Sequence, residues 1–223
     1  MNLTEAVKTR RTIRAYKPEA VPEPIIREVL EIAREAPSNS NTQPWRIDIV
    51  SGAARDELQQ CIAAEMRAGA KPNPTFPPGG SGLKGRYKER QRECAFQYFA
   101  AVDINRDDKA AQRKLSMKNF EFFGAPHAAF LSYPETMHRA NAIDLGIFLQ
   151  TIMLLFVERG IASCPQGALA AYPEPVKAML PIPEGNAILC GLSFGYPDMD
   201  AQINSPAAKM GREAVDVFAS FTS

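Results

Sequence analysis

Read from its N-terminus, the chain alternates between two kinds of hydrophobic spacing. Leu3 to Thr9 reads as a short helix that runs into a basic stretch, Arg10-Arg11-Thr12-Ile13-Arg14. Pro22 and Pro24 then open a clearer helix. Ile25, Val29, Ile32, Ala33 and Ala36 mark its apolar stripe, and Pro37 ends it. Trp45 to Ser51 alternates polar and apolar residues, which predicts a strand, and Ala53 to Ala68 returns to helical spacing. Two more polar helices are expected at Tyr87 to Ala101 and Lys109 to Phe123. Phe96, Tyr98, Phe99, Phe120, Phe122 and Phe123 on them need apolar surface to meet. Further strands are predicted at Ala128 to Tyr133, Ile161 to Gln166 and Ala187 to Phe194. Helices are predicted at Asn141 to Gly160, Pro173 to Leu180 and Glu213 to Phe221. Helices outnumber strands and no clean βαβ repeat is visible, so the fold class is α+β, with no internal repeat.

Residues 70–85 break this rhythm. Pro72, Pro74, Pro77 and Pro78 precede Gly79, Gly80, Gly82 and Gly85. The flanking pieces are too incomplete to stand alone, so the stretch reads as a loop or lid inside one domain spanning 1–223. Within it, Gly80-Ser81-Gly82-Leu83-Lys84-Gly85 matches a dinucleotide-binding pattern. That pattern needs a strand to deliver the glycines to a helix, and the proline-rich residues before it exclude a central strand. Gly191-Leu192-Ser193-Phe194-Gly195 matches a nucleophile elbow. That motif requires a helix directly afterwards and a later histidine, whereas Tyr196-Pro197-Asp198 follows and His138 is the last histidine.

Composition removes several function classes. The chain has 223 residues, with 26 Lys plus Arg against 25 Asp plus Glu, a balance that offers no global attraction for nucleic acid. No apolar segment of a secretory signal occupies Met1 to Arg14. The uncharged run Leu145 to Val157 is shorter than the roughly 20 residues that span a bilayer, so no membrane association is expected. Cys61, Cys94, Cys164 and Cys190 are widely spaced and form no C-x-x-C pair. With only His127 and His138 besides, they are expected to be free thiols in a reducing cytoplasm, with no metal site.

Two segments carry candidate chemistry. Arg10, Arg11 and Arg14 cluster around Thr12, and forked guanidinium donors beside a hydroxyl suit a phosphate. A basic helix end facing solvent is the plainer alternative. Ala36-Pro37-Ser38-Asn39-Ser40-Asn41-Thr42-Gln43-Pro44-Trp45 is an amide-rich loop between a helix and a strand. Its Asn and Gln side chains can pair with the edge of a planar heterocycle, or simply form caps and turns.

Taken together and in this order, these segments resemble the FMN-dependent nitroreductases, nearest their nitrobenzoate-reductase-like subgroup. The resemblance continues through Phe123-Gly124-Ala125-Pro126, Asp144-Leu145-Gly146, Cys164-Pro165-Gln166-Gly167, Gly191 to Asp198, and Arg212. It implies a central, mainly antiparallel sheet flanked by helices, in an intertwined homodimer with two FMN sites at the interface. The helix Asn141 to Gly160 would lie in that interface. Arg10, Arg11, Thr12, Lys209 and Arg212 would hold the FMN phosphate. Arg14 would lie by flavin N1 and stabilise the reduced ring. Pro37, Ser38, Asn39, Asn41 and Gln43 would come from the partner subunit, and Pro165, Gln166 and Gly167 would border flavin N5. Ser40, Phe76, Phe120 and Phe123 would line the substrate space, with ordinary core packing as the plainer alternative for the three phenylalanines, and residues 70–123 would form an active-site lid. The implied reaction is a ping-pong reduction of nitroaromatics or quinone-like acceptors by NAD(P)H, with the flavin rather than any side chain as the catalytic group. Thr12 departs from the serine common in the family, and Met210 occupies a position that is often basic. The alternatives are a flavin enzyme of the same fold acting on another small substrate (a dehydrogenase, a dehalogenase or a consumer of reduced flavin), and a non-catalytic flavin-binding redox sensor.

Overall fold

The structure is a computed structural model that describes residues 1–76, 80–138 and 140–222. Pro77, Pro78 and Gly79 of the expected loop lie outside the described residues. The elements follow in the order α1 (Leu3–Thr9), α2 (Glu23–Ala33), β1 (Arg46–Ser51), α3 (Gly52–Arg67), α4 (Gly85–Ala100), α5 (Lys109–Met117), β2 (His127–Pro134), α6 (Asn141–Glu158), β3 (Ala162–Gln166), α7 (Pro173–Met179) and β4 (Asn186–Gly195).

The four strands form one antiparallel sheet in the order β1-β2-β4-β3. Its centre, β2 and β4, is covered on both faces, and the period-2 alternation of a strand sorts the side chains between them. Ala129 and Leu131 of β2, with Leu192 and Phe194 of β4, join a core with Val29 and Ala33 of α2 and Phe148, Ile152 and Phe156 of α6. Ala128, Phe130 and Ile188 face the other way. They meet Leu58 and Ile62 of α3, Val176 of α7, and Phe122. The fold is therefore α+β, with an antiparallel sheet between helical layers.

The buried stripe of α2 runs through Ile26, Val29 and Ala33, while Ile32, expected to face inward, is exposed. The helix predicted at Lys109 to Phe123 stops at Met117. Phe122 and Phe123 beyond it have φ of 52° each, a left-handed conformation that no α-helix contains. The closing helix predicted at Glu213 to Phe221 does not form. Only a single 3-10 turn, Val215–Val217, is present, and Phe218 and Phe221 are exposed. A segment that short gains helical stability from a buried apolar face, and here the larger apolar side chains, from Val215 to Phe221, stay exposed.

Both glycines of the rejected serine motif have packing reasons. A Cβ at Gly191 would come within 2.4 Å of Leu169 Cδ1, and one at Gly195 within 2.7 Å of Pro126 Cδ. Ser193 between them is fully buried and donates its hydroxyl to Gln166 Oε1. All four cysteines are free thiols. By length and composition α6 could cross a membrane. Here it packs on α1, α2 and β3.

His127, at the start of β2, is buried and ties three elements together. Its Nε2 accepts from Val21 N at 2.8 Å, so the proton of the neutral ring is on Nδ1, which meets Ser51 Oγ. The ring stacks on Phe194 at 4.9 Å. Burial lowers its pKa from the ordinary 6.5. The stability held by the neutral ring is thus present above about pH 6.5 and is lost as the pH falls through the lowered folded value, because the unfolded chain takes up the proton first. The expected outcome is a urea midpoint that drops between about pH 7.5 and about pH 5. In His127→Gln the drop should be smaller, as measured by paired denaturation curves.

Candidate functional site

The basic stretch after α1 does not continue as a helix. Residues 10–16 run extended along the outer edge of β3, with Thr12 bridged to Ser163 and Tyr16 bridged to Pro197. Ile13 N donates to Ser163 O at 3.2 Å, and the Tyr16 hydroxyl donates to Ile13 O at 2.7 Å. The main anchor is Asn204, a fully buried side chain absent from the sequence-based candidates. Its Oδ1 accepts from Arg14 N at 2.8 Å, and its Nδ2 donates to Ala15 O at 2.9 Å and to Asp198 O at 2.7 Å. One amide thereby holds three peptide groups, and the side chains of the basic stretch project from a fixed backbone.

Those side chains line a cavity of about 720 Å³ together with the C-terminal segment and α4. Arg10, Arg11, Thr12, Arg14, Lys209 and Arg212 all border it, as do Cys94 and Tyr98. Arg10 and Arg212 border it together, close enough for their charges to interact. Burial, and then the charge of Arg212, lowers the Arg10 guanidinium from its ordinary value. Arg11 has another job, because its Nη2 donates to the carbonyls of Asn204 and of Ser205, the latter at 3.0 Å. Arg212 Nη1 donates to Met210 O at 3.1 Å and to Gly211 O at 2.8 Å, which folds it back on its own loop. No carboxylate within ion-pair distance balances Arg10, Arg14, Lys209 or Arg212 among the described residues. Several cations around one cavity without an acid form a donor set suited to a dianion.

Arg14 stands where this cavity meets a second, of about 570 Å³, also bordered by Phe123, Leu115, Ile104, Lys114 and Lys118. Its guanidinium lies 4.5 Å from the Tyr98 ring centroid and 5.8 Å from that of Phe123. It also borders the buried Cys164 thiol, which burial pushes up to about 11.

The other expected residues lie elsewhere on the chain. Pro37, Ser38, Asn39, Ser40, Asn41 and Gln43 border neither cavity. Their loop is held in a defined and unusual shape. Ser40, Asn41 and Gln43 have φ of 51°, 55° and 45°, and Gln43 N donates to Ser38 Oγ at 2.9 Å. Asp144, in the first turn of α6, accepts from Asn39 N at 3.2 Å and from Asn141 Nδ2 at 3.1 Å. The Gln166 side chain is buried between Ser193 and Asn119 Oδ1, so it is already committed within the chain. Pro165 and Gln166 pair with β4, and Gly167 begins the turn that follows. Phe76 stacks on Tyr133 and Phe120 meets Tyr172 edge-on, which puts both in packed clusters outside the two cavities. Of the four substrate-space candidates, Phe123 alone reaches a cavity bordered by Arg14.

The sequence pattern shared by the nitroreductase family is matched over residues 7–196. The chain belongs to the nitroreductase family. It is 40% identical over 198 residues to nitroreductase NfnB of Mycolicibacterium smegmatis, covering 89% of this chain and 84% of that one. It is 35% identical over 216 residues to a 4-nitrobenzoate reductase of Pseudomonas putida, covering 96% and 93%. Among solved structures, that of the FMN-dependent nitroreductase NfnB from Mycobacterium smegmatis in complex with NADPH superposes with a TM-score of 0.92. Identity there is 37%, over 99% of this chain and 97% of that one. The nitroreductase fold is thus shared essentially end to end.

In this nitroreductase the cavity depends on Asn204. Asn204→Ala leaves Arg14 N, Ala15 O and Asp198 O without that partner. The expected cost is about 2–5 kcal/mol of stability, read by urea denaturation. Asn204→Asp, which keeps the acceptor but sets a buried carboxylate oxygen against Ala15 O and Asp198 O, should cost at least as much.

Proposed function

We propose that this chain is an FMN-dependent oxidoreductase that uses NAD(P)H to reduce nitroaromatic or quinone-like acceptors, as a homodimer in the cytoplasm. The observation that carries this reading is the cavity of uncompensated cations built on residues 10–14 and 209–212, in a chain of this family. Its donor set fits the phosphate of FMN. Arg10, Thr12, Lys209 and Arg212 would hold that phosphate, with Arg11 fixing the C-terminal segment that brings Arg212 into place. FMN, when bound, supplies two-electron transfer between the nicotinamide and the acceptor, so no side chain is needed as a nucleophile. Arg14 would favour negative charge gathering beside it on reduction. In a partly dry cavity bordered by aromatic rings that effect is stronger than in water.

The amide-rich loop at 37–43 reaches neither cavity of its own chain, which supports its delivery by a second copy. The surface beside it suits such a contact. Ile143 and Ile147 of α6 are 66% and 36% exposed, and Leu3 and Val7 of the adjoining α1 are 71% and 52% exposed. Asp144 would then serve both roles, since it pins the loop at the start of the helix that forms the interface. An apolar face of this kind fits an obligate interface better than a solvated surface. Residues 70–123, including α4 and α5, would cover the acceptor space as an insertion within a single domain.

The purified protein should be yellow, with about one FMN per chain, and anaerobic NAD(P)H should bleach it. A colourless protein that ignores added FMN would overturn the reading. Arg212→Ala should weaken FMN binding roughly tenfold to a hundredfold through loss of a charged partner. Arg14→Ala should hold oxidised FMN with a smaller loss and move the flavin midpoint potential to more negative values. Flavin titration and redox potentiometry separate the two roles.

The dimer carries its own test. By sedimentation the wild-type chain should be dimeric at micromolar concentration. A double Ile143→Glu, Ile147→Glu variant should dissociate and lose FMN together with the partner's loop.

A further inference from the structure

Tyr98 borders the Arg10–Arg212 cavity, and the residues assigned above leave it without a role. It sits on α4, a helix with no fully buried residue, yet its own hydroxyl oxygen is buried and has no hydrogen-bond partner among the described residues. A buried phenol is normally bonded. Tyr16 nearby follows that rule through Ile13 O and Ser193 O, at 2.7 Å and 3.2 Å. Tyr98 thus borders the same space as Thr12, Arg10 and Arg212 and carries a donor that no group among the described residues accepts. Burial pushes its phenol up to about 12, so it keeps its proton across the neutral range.

The ring has a second relation. The Arg14 guanidinium lies over its face at 4.5 Å, within cation–π range. Arg14 has no ion pair with a carboxylate among the described residues, and its backbone is fixed by Asn204. An acidic partner would hold the guanidinium equally well but would cancel its charge. An aromatic face restrains the cation and leaves the charge available to whatever occupies the cavity.

Resting on the FMN reading above, we infer that Tyr98 is a positioning residue of the cofactor site: its ring sets the Arg14 guanidinium at the junction of the two cavities, and its hydroxyl donates to bound FMN. The two halves separate by substitution. Tyr98→Phe keeps the ring and removes the donor. Tyr98→Leu and Tyr98→Met remove both.

The experiment measures FMN dissociation constants by flavin fluorescence on stripped protein, and midpoint potentials on the reloaded holoenzyme. The variants are the three above, Arg14→Ala, and Arg14→Ala combined with Tyr98→Leu. Tyr98→Phe should weaken FMN about tenfold and leave the potential at the wild-type value. Tyr98→Leu should also move the potential to more negative values, in the direction of Arg14→Ala. The double variant should match Arg14→Ala in potential, because a displaced Arg14 and an absent one are equivalent. Tyr98→Met should repeat the Leu result, and it decides the ring's role should the Leu variant fail to fold. Wild-type affinity in Tyr98→Phe would overturn the hydroxyl's role. A wild-type potential in the Leu and Met variants, or shifts that add in the double variant, would overturn the ring's role. Failure of the wild-type protein itself to take up FMN would instead overturn the underlying functional reading.

Discussion

The side-chain amide of Asn204 grips three peptide groups at once, and the geometry of the cationic cavity follows from that grip. Residues 10–16 lack the ladder of a sheet strand. They are held to the chain around them by isolated bridges at Thr12 and Tyr16 and a few backbone hydrogen bonds, and the Asn204 side chain adds the rest. A neutral amide is suited to this task because it offers an acceptor and donors in one rigid plane. Asn204 is fully buried, so water does not compete for those bonds. Arg11 closes the same circuit from the other side through the carbonyls of Asn204 and Ser205. Two distant stretches of chain are therefore locked together before any ligand is considered.

What that lock holds together is electrostatically unfavourable. The charge of Arg212 acts on Arg10, and Arg14 and Lys209 border the same space without an acidic counterweight. Like charges held close cost free energy, and the cost is greater where solvent is partly excluded. The fold tolerates it because Asn204, Arg11 and the bridges of residues 12 and 16 fix the backbone independently of the guanidinium groups. An anion entering such a site meets donors already in position, which lowers the ordering cost of binding.

The sequence made most elements legible because their spacing is unambiguous. Alternation in β1, the uncharged run of α6 and the proline that opens α2 each follow from local physics. The misreadings came where tertiary context decides. Glu213 to Phe221 has helical spacing but no surface to cover, so Phe218 and Phe221 stay exposed. Phe122 and Phe123 take left-handed φ values that allow Ala125 N to bond Phe122 O at 3.0 Å, a turn that aromatic residues do not advertise. Within the candidate site, Arg10 and Arg14 were legible because charge clusters are visible in a string of letters, whereas Arg212 came only with the family resemblance. Asn204 was not, since an isolated asparagine gains meaning only from contacts about 190 positions away. Tyr98 was legible only as an aromatic in need of apolar surface. Its partner proved to be a cation.

Helix α4 differs in kind from the helices that flank the sheet. It buries no residue completely, and it is fastened by Arg90 to Glu213, by Gln97 to the carbonyls of Ala207 and Lys209, and by Tyr98 beneath Arg14. Lifting it exposes little of the two sheet cores. A helix fastened in this way is expected to open at a free energy below that of global unfolding, its amide hydrogens exchanging before those on β2 and β4. The wall of the cavity is thereby a separate cooperative unit, and traffic through it is uncoupled from the rigidity of the sheet.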